Sequence, residues 1–449
     1  MRTYKFRIYP TDSQAAALNS ALELCRDLYN AMLQQRIYAY RSGRRVSYNS
    51  QQDELPELKN AFPEYRSIHS QVLQDVARRL DKAFDSFFRR IRERNNGKNI
   101  KAGFPRFKSK DRYSSITYTQ SGFRIMDNGH VWLSRLGEVR MFMHRPVDGS
   151  ISTLSVKHDS AGDWFITVTA GKYRNSGTET HEERNEKEPH ANSPGFMNPI
   201  GIDLGLRALI TTSDGIQIEP PEFLRKSEKK LVKAQRQLSR KMKGSGKRRK
   251  ARTRVAKVHR KTERQRDDFS HKLSNALVKE HDLMVFEDLN IKGMVKNHHL
   301  AKSIVDASWN TLVQYTTYKA ESAGAVVVLV DPRHTSRECS RCGNIKEDLE
   351  LSDRIYHCNA CGLTMDRDLN AAINIRNRGI AKVGRGTVRR RKWITMSESL
   401  NVLRTGGYEA RIKNRMVTSP FEADRQREIW NLRDKAQTSL RETAGLNEK

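Results

Sequence analysis

At 449 residues, with 83 Lys plus Arg against 52 Asp plus Glu, the chain carries a formal charge of +31 and a sequence pI of about 10.1; such a balance points to a polyanionic partner, nucleic acid first. No run of roughly 18 apolar residues occurs and the opening "MRTYKFRIYPTDSQ" lacks an apolar signal core, so no membrane association or secretion is expected; the expected location is the cytoplasm, on nucleoid DNA when bound. The length suffices for about two or three structural units, and five cysteines, four of them in two C-x-x-C pairs, favour metal binding over disulfides in a reducing compartment.

The first segment, "RTYKFRIYP", alternates polar and apolar residues as a strand does, and Pro10 ends it. A capping box, Thr11 and Gln14, then opens a long helix, in which Cys25 shares the helical spacing of Leu18, Leu22 and Tyr29 and reads as core. A second amphipathic helix, "SQVLQDVARRLDKAFDSFFRRIRER", sets Val72, Val76, Ala83, Phe84, Phe87 and Ile91 near one face. Arginines crowd its end, a pattern that suits a solvated face and a phosphate-binding face alike.

After "NNGKNIKAGFPRFKSKDR" the pattern alternates again in "SSITYTQ", "GFRIMDNGHVWLS", "EVRMFMH" and "STLSVKHDSAGDWFITVTA", which reads as antiparallel strands. With the opening strand, the simplest arrangement is a β-module interrupted by a helical insertion. "NSGTETHEERNEKEPHANSPG" is polar and aperiodic, hence a linker, with a boundary near Pro199.

"IGIDLGLRALITTSDG" has the form of a β-hairpin, and the helical stretch that follows breaks at "KGSGK", giving two antiparallel helices. Acidic residues are almost absent between Lys229 and Lys261, a repulsive run that favours contact with a polyanion over a merely solvated face. "DLMVFEDLN" and "GAVVVLVDP" read as buried strands of a parallel or mixed sheet, with "SWNTLVQYTTYKAESA" as a helix between them. From about Gly379 the chain is charged, includes "RRRK" and lacks an apolar stripe, so a loosely ordered tail is expected.

Two constellations carry chemistry. Asp203 ends the apolar run "IGID", Glu287 ends "LMVFE", and Asp368 opens the helix of "DRDLNAAINI". Taken singly, each is as readily a turn or cap residue. Converging at one sheet edge, they form a hard-oxygen site for Mg²⁺, where two ions about 3.5–4 Å apart can clamp the attacking water and leaving oxygen of a phosphodiester. Asp366 competes with Asp368, but residues two apart on a helix point about 200° apart. Asp366 is therefore read as the N-cap and Asp368 as the ligand, while Asp288 points away from the site.

The second constellation is Cys339-x2-Cys342, a gap of 15 residues, then Cys358-x2-Cys361, with Gly343 and Gly362 after the pairs. This spacing predicts a closed structural zinc site rather than an iron–sulfur or redox centre, contributing about 10–16 kcal/mol of apparent binding energy, on a gap that suits a β-hairpin ribbon. His334 and His357 are close in sequence but not needed as ligands.

In order, "GIDLG", "FEDLN", "TSRECSRCG", "YHCNACG" and "DRDLNAAINI", together with the N-terminal "RTYKFRIYP" and "FPRFKSKD", resemble the OrfB/TnpB family of transposon-encoded proteins over residues 1 to about 378. The resemblance implies an α/β RNase H-like (RuvC) nuclease domain at 199–336 and 363–380 with an inserted zinc ribbon at 337–362. Before it would stand a β-barrel-like wedge module at 1–10 and 98–178, carrying a helical recognition insertion at 11–97, with a linker at 179–198 and a basic, loosely ordered tail at 381–449. Asp203, Glu287 and Asp368 occupy the catalytic triad positions, with no departure from the pattern. The implied activity is RNA-guided, Mg²⁺-dependent endonucleolytic cleavage, with guide RNA and double-stranded target DNA as partners and the basic segments holding heteroduplex phosphates. Competing readings are a compact type V CRISPR effector, a non-catalytic zinc-ribbon nucleic-acid-binding regulator, and a transposase that itself joins strands.

Overall fold

The alternation in the first strand, β1 (Arg2–Tyr9), turns Tyr4, Phe6 and Ile8 into the interior. In the computed structural model, which describes residues 2–171, 198–350, 352–383 and 412–414, the chain forms two compact units. Four α-helices separate β1 from the next strand: α1 (Asp12–Arg41), α2 (Tyr48–Asp53), α3 (Leu55–Ala61) and α4 (Ser70–Asn95). The capping box at α1 is reciprocal, with Gln14 N donating to Thr11 Oγ1 and Thr11 N donating to Gln14 Oε1. Cys25 is fully buried in the core that α1 and α4 share with the sheet.

The sheet is completed by β2 (Ser115–Tyr118), β3 (Phe123–Ile125), β4 (His130–Leu133), β5 (Gly137–Phe142), β6 (Ser150–His158) and β7 (Trp164–Gly171). Its order is β2-β6-β7-β1-β5-β4-β3, antiparallel throughout, so β1 lies between strands made more than a hundred residues later. No ladder joins β2 to β3 among the described residues.

The second unit holds a six-stranded mixed sheet of β8 (Pro199–Asp203), β9 (Ile210–Thr212), β10 (Ile216–Ile218), β11 (Leu283–Glu287), β12 (Val326–Val330) and a strand near the C-terminus, in the order β12-β11-β8-β9-β10 and then that strand. β12, β11 and β8 are parallel, and β8 turns back antiparallel into β9. Every residue of β11 is buried, as its unbroken apolar sequence requires. Between β10 and β11 run the basic helices α5 (Phe223–Ser239) and α6 (Gly246–Glu280), broken at the "KGSGK" segment, where Ser245 caps α6 by accepting from Arg248 N. Then come α7 (Ile291–Met294), α8 (His298–Ala307) and α9 (Trp309–Ala323), followed after β12 by the ribbon strands β13 (Ile355–His357) and β14 (Thr364–Asp366) and by α10 (Arg367–Val383).

Two glycines allow α10 to rest on the sheet. A Cβ on Gly201 in β8 would sit 2.0 Å from the carbonyl oxygen of Ala372, and one on Gly379 would sit 2.2 Å from a methyl of Val285 in β11. Within the tail, the edge strand β15 (Ile412–Asn414) pairs antiparallel with β10, which the expectation of a loosely ordered segment did not include. The linker at 179–198, except residue 198, and the rest of the tail beyond 383 lie outside the described residues. Among the described residues, no helix is long and apolar enough to cross a membrane.

Candidate active site and candidate metal centre

Parallel pairing of β8 with β11 sets Ile202 opposite Phe286, so the next residues, Asp203 and Glu287, stand at the carboxyl ends of neighbouring strands. Asp203 also pairs across to Thr211 of β9. α10 runs over β8 at Gly201 and brings its first turn, with Asp368, to the same edge. The electrostatics record this convergence: desolvation, then the charges of Glu287 and Asp368, push the Asp203 carboxyl well above the usual carboxylate range, against an opposing pull from Arg367. Glu287, 8% exposed, is also raised by burial, with the Thr335 hydrogen bond and the Arg378 charge opposing. Carboxylates gathered in this way repel one another and call for a cation.

Asp366 does something else. Its Oδ1 accepts from the backbone N–H groups of Asp368 (3.0 Å) and Leu369 (3.2 Å), the bonds of an N-cap, and from Nε2 of Gln217. Asp368 keeps partial exposure and has the Arg367 guanidinium 3.4 Å from its Oδ1. Asp288 is exposed, and its backbone N–H donates to Val330 O.

Sequence reasoning passed over the polar residues that brace this edge. Thr335, 2% exposed, places its Oγ1 2.6 Å from Glu287 Oε1. Asn370, Asn374 and Arg378 recur every fourth residue along α10 and hold the chain segment that leads from β12 to the first cysteine pair. That spacing was the available signal, a polar stripe beside the apolar face of Ala371, Ala372 and Ile375.

The four cysteine sulfurs all lie within 4.8 Å of one another, with Cys339–Cys361 and Cys342–Cys358 each at 3.6 Å. A disulfide needs about 2.05 Å. Thiolates about 2.3 Å from a central zinc ion in a tetrahedron stand about 3.8 Å apart, so the cluster fits zinc. Two matching knuckles build it: Cys339 N donates to Asn344 O and Gly343 N to Cys339 O, while Cys358 N donates to Leu363 O and Gly362 N to Cys358 O. Gly343 and Gly362 take φ of 76° and 70°, which is why glycine follows each pair. The hairpin does not span the gap between the pairs. It is the turn of the second knuckle, between β13 and β14, and a smaller bridge, Glu338 to Ile345, flanks the first. Burial raises the Cys358 thiol, but the backbone N–H groups of Cys361 and Ala360 together with hydrogen bonds from Cys342 and Cys339 bring it down to about 6. His357 bonds to Thr364 and His334 is exposed; neither joins the sulfur cluster. Among the described residues the sulfurs are the one such tight group, the three carboxylates being more widely spread.

Comparison with known proteins gives the family. Residues 180–298 match the OrfB_IS605 family, described as a probable transposase, and residues 309–375 match the Cas12f1-like TNB domain. Residues 1–45 match the helix-turn-helix domain of the OrfB_IS605 set, although here they form β1 and a single long helix, α1. A candidate RNA-guided DNA endonuclease of Streptomyces pristinaespiralis is 35% identical over 390 residues, covering 85% of this chain and 90% of that protein. The candidate RNA-guided DNA endonuclease InsQ of Escherichia coli (strain K12) is 29% identical over 404 residues, 86% of this chain and 94% of its own length. The CRISPR-associated endodeoxyribonuclease Cas12f1 of Sulfoacidibacillus thermotolerans is 27% identical over 263 residues, 53% of this chain and 61% of that protein. With the acidic sheet edge, the cysteine ribbon and relatives matched over nearly their full length, the chain belongs to the OrfB/TnpB family of transposon-encoded proteins.

Proposed function

We propose that this protein is a transposon-associated, RNA-guided endonuclease that hydrolyses phosphodiester bonds of target DNA. The observation that carries the reading is the gathering of Asp203, Glu287 and Asp368 at one sheet edge, where burial and mutual repulsion raise the Asp203 carboxyl. These three side chains would hold Mg²⁺, as a pair of ions in the manner of phosphodiester-cleaving sites. Bound there, the metal would supply Lewis-acid stabilisation to the attacking water and the leaving oxygen. The chain's own part is to aim the carboxylates: Asp366 fixes the first turn of α10, and Gly201 sets how closely that helix approaches β8. The cysteine ribbon would bind zinc structurally, with no position left for water.

The seven-stranded sheet with its helical insertion would serve as the wedge and recognition module. Exposed cations such as Lys229, Lys233, Arg236, Lys241 and Lys247 on α5, α6 and their connection would neutralise guide–target phosphates. The test is to purify the full chain, sequence the RNA that comes with it, and offer DNA matching that RNA beside varied flanking motifs, with and without Mg²⁺. Cleavage of matched DNA alone, lost in Asp203→Ala, Glu287→Ala and Asp368→Ala while binding persists, supports the reading. Unaltered function in those variants would favour a non-catalytic regulator. The match of residues 309–375 to the Cas12f1-like TNB domain keeps a compact type V CRISPR effector as the second reading, decided by a neighbouring repeat array in place of transposon ends.

A further inference from the structure

Thr335 sits between the two candidate metal centres. Its hydroxyl lies 2.6 Å from Oε1 of Glu287 and 3.0 Å from the carbonyl oxygen of Pro332. Its own backbone carbonyl accepts from Nδ2 of Asn374, which donates also to the carbonyl of Glu338. One turn earlier on α10, Nδ2 of Asn370 donates to that same Glu338 carbonyl, and its Oδ1 accepts from the backbone N–H of Ser340, inside the first cysteine knuckle. An unbroken chain of hydrogen bonds and peptide links therefore joins Cys339 to the carboxylate of Glu287. Thr335, Asn370 and Asn374 are all buried. Interior amides and hydroxyls are costly unless every bond is made, so such a set is tolerant of only one geometry.

From this geometry we infer that Thr335 is a positioning residue: it holds Oε1 of Glu287 and leaves Oε2 to a divalent ion, and Asn370 and Asn374 make its placement depend on the folded zinc knuckle. The inference rests on the reading of Asp203, Glu287 and Asp368 as a metal centre. Partners that orient metal ligands from behind typically change affinity by about 10- to 100-fold when removed.

The experiment titrates Mn²⁺ alone into full-length, zinc-loaded protein freed of nucleic acid and follows binding by electron paramagnetic resonance, with Asp203→Ala defining the background. Thr335→Val should weaken the Asp203-dependent binding by roughly 10- to 100-fold while zinc content stays at wild type. Thr335→Ser, which keeps the hydroxyl, should restore it. Asn374→Leu should weaken binding in the wild type but add little on top of Thr335→Val, because both act through one path. Thr335→Val binding Mn²⁺ as tightly as wild type, with Asp203→Ala still deficient, overturns the role of Thr335 alone. Equal binding by wild type and Asp203→Ala overturns the metal centre and this inference with it.

Discussion

Gly201→Ala adds one methyl group where α10 rests on β8. The new Cβ would lie 2.0 Å from Ala372 O and 2.5 Å from Arg376 N, both backbone atoms of the helix, against an ordinary contact of at least 3.4 Å. Relief by movement along the closer contact requires about 1.4 Å, and neither partner is a side chain that could rotate away. Overpacking of this kind costs about 1–3 kcal/mol, and a displacement of about 1 Å at a catalytic group costs roughly 100-fold in rate. Asp368 rides on the displaced helix, whereas Asp203 stays on β8. Gly201→Ala should thus lower the unfolding midpoint modestly and reduce single-turnover cleavage far more, with zinc retained. Gly103→Ala, whose Cβ meets nothing within 4 Å, is the matched control. Gly201→Ala cutting at the wild-type rate with an unchanged midpoint would refute the claim that this glycine sets the distance between helix and sheet.

Asp366 and Asp368 separate by assay: Asp368→Ala should abolish cutting and keep DNA binding, while Asp366→Ala should lose about 0.5–2 kcal/mol of stability as a missing N-cap does, with cutting reduced only to that extent. A calorimetric comparison with the cleavage assay reads both. Because Asp203 and Glu287 are raised above their unfolded values, the metal-free protein holds protons there that the unfolded chain has released; its stability falls as pH rises from the ordinary carboxylate range through the raised values. Asp203→Asn should therefore raise the melting temperature of metal-free protein at pH 7, and a lower value would count against mutual repulsion at this edge. Chelation of zinc should unfold the ribbon and expose four thiols to a disulfide reagent, while Cys25, fully buried and with its thiol pushed up to about 12, stays unreactive until the whole unit unfolds.

Much of the second unit was readable because local rules sufficed. Unbroken apolar runs marked β11 and β12, and an acidic residue ending such a run is conspicuous against its desolvation cost. The cap role of Asp366 follows from helix geometry, since a first turn must find acceptors for its free N–H groups. The cysteine knuckles are set by spacing and glycine. What stayed hidden depends on chain segments far apart. Nothing near Gly201 in sequence announces a helix backbone 171 residues later, and Thr335 meets Glu287 only because the chain leaving β12 folds back under α10. The edge strand at Ile412–Asn414 lies in a charged stretch whose pairing comes from β10, not from its own pattern.

The place of β1 in the first unit bears on how the protein is made. Arg2 pairs with Ala170, and Arg7 with both Phe142 and Phe165, so β1 is made well before its first partner, β5, and gains its second, β7, only when the sheet's last strand emerges. Until then α1 to α4 can form, but Tyr4, Phe6 and Ile8 stay exposed. Such non-local pairing slows folding and leaves an apolar strand open to the wrong neighbour. Expression yield of this unit should accordingly be more sensitive to substitutions in β1 than their number suggests.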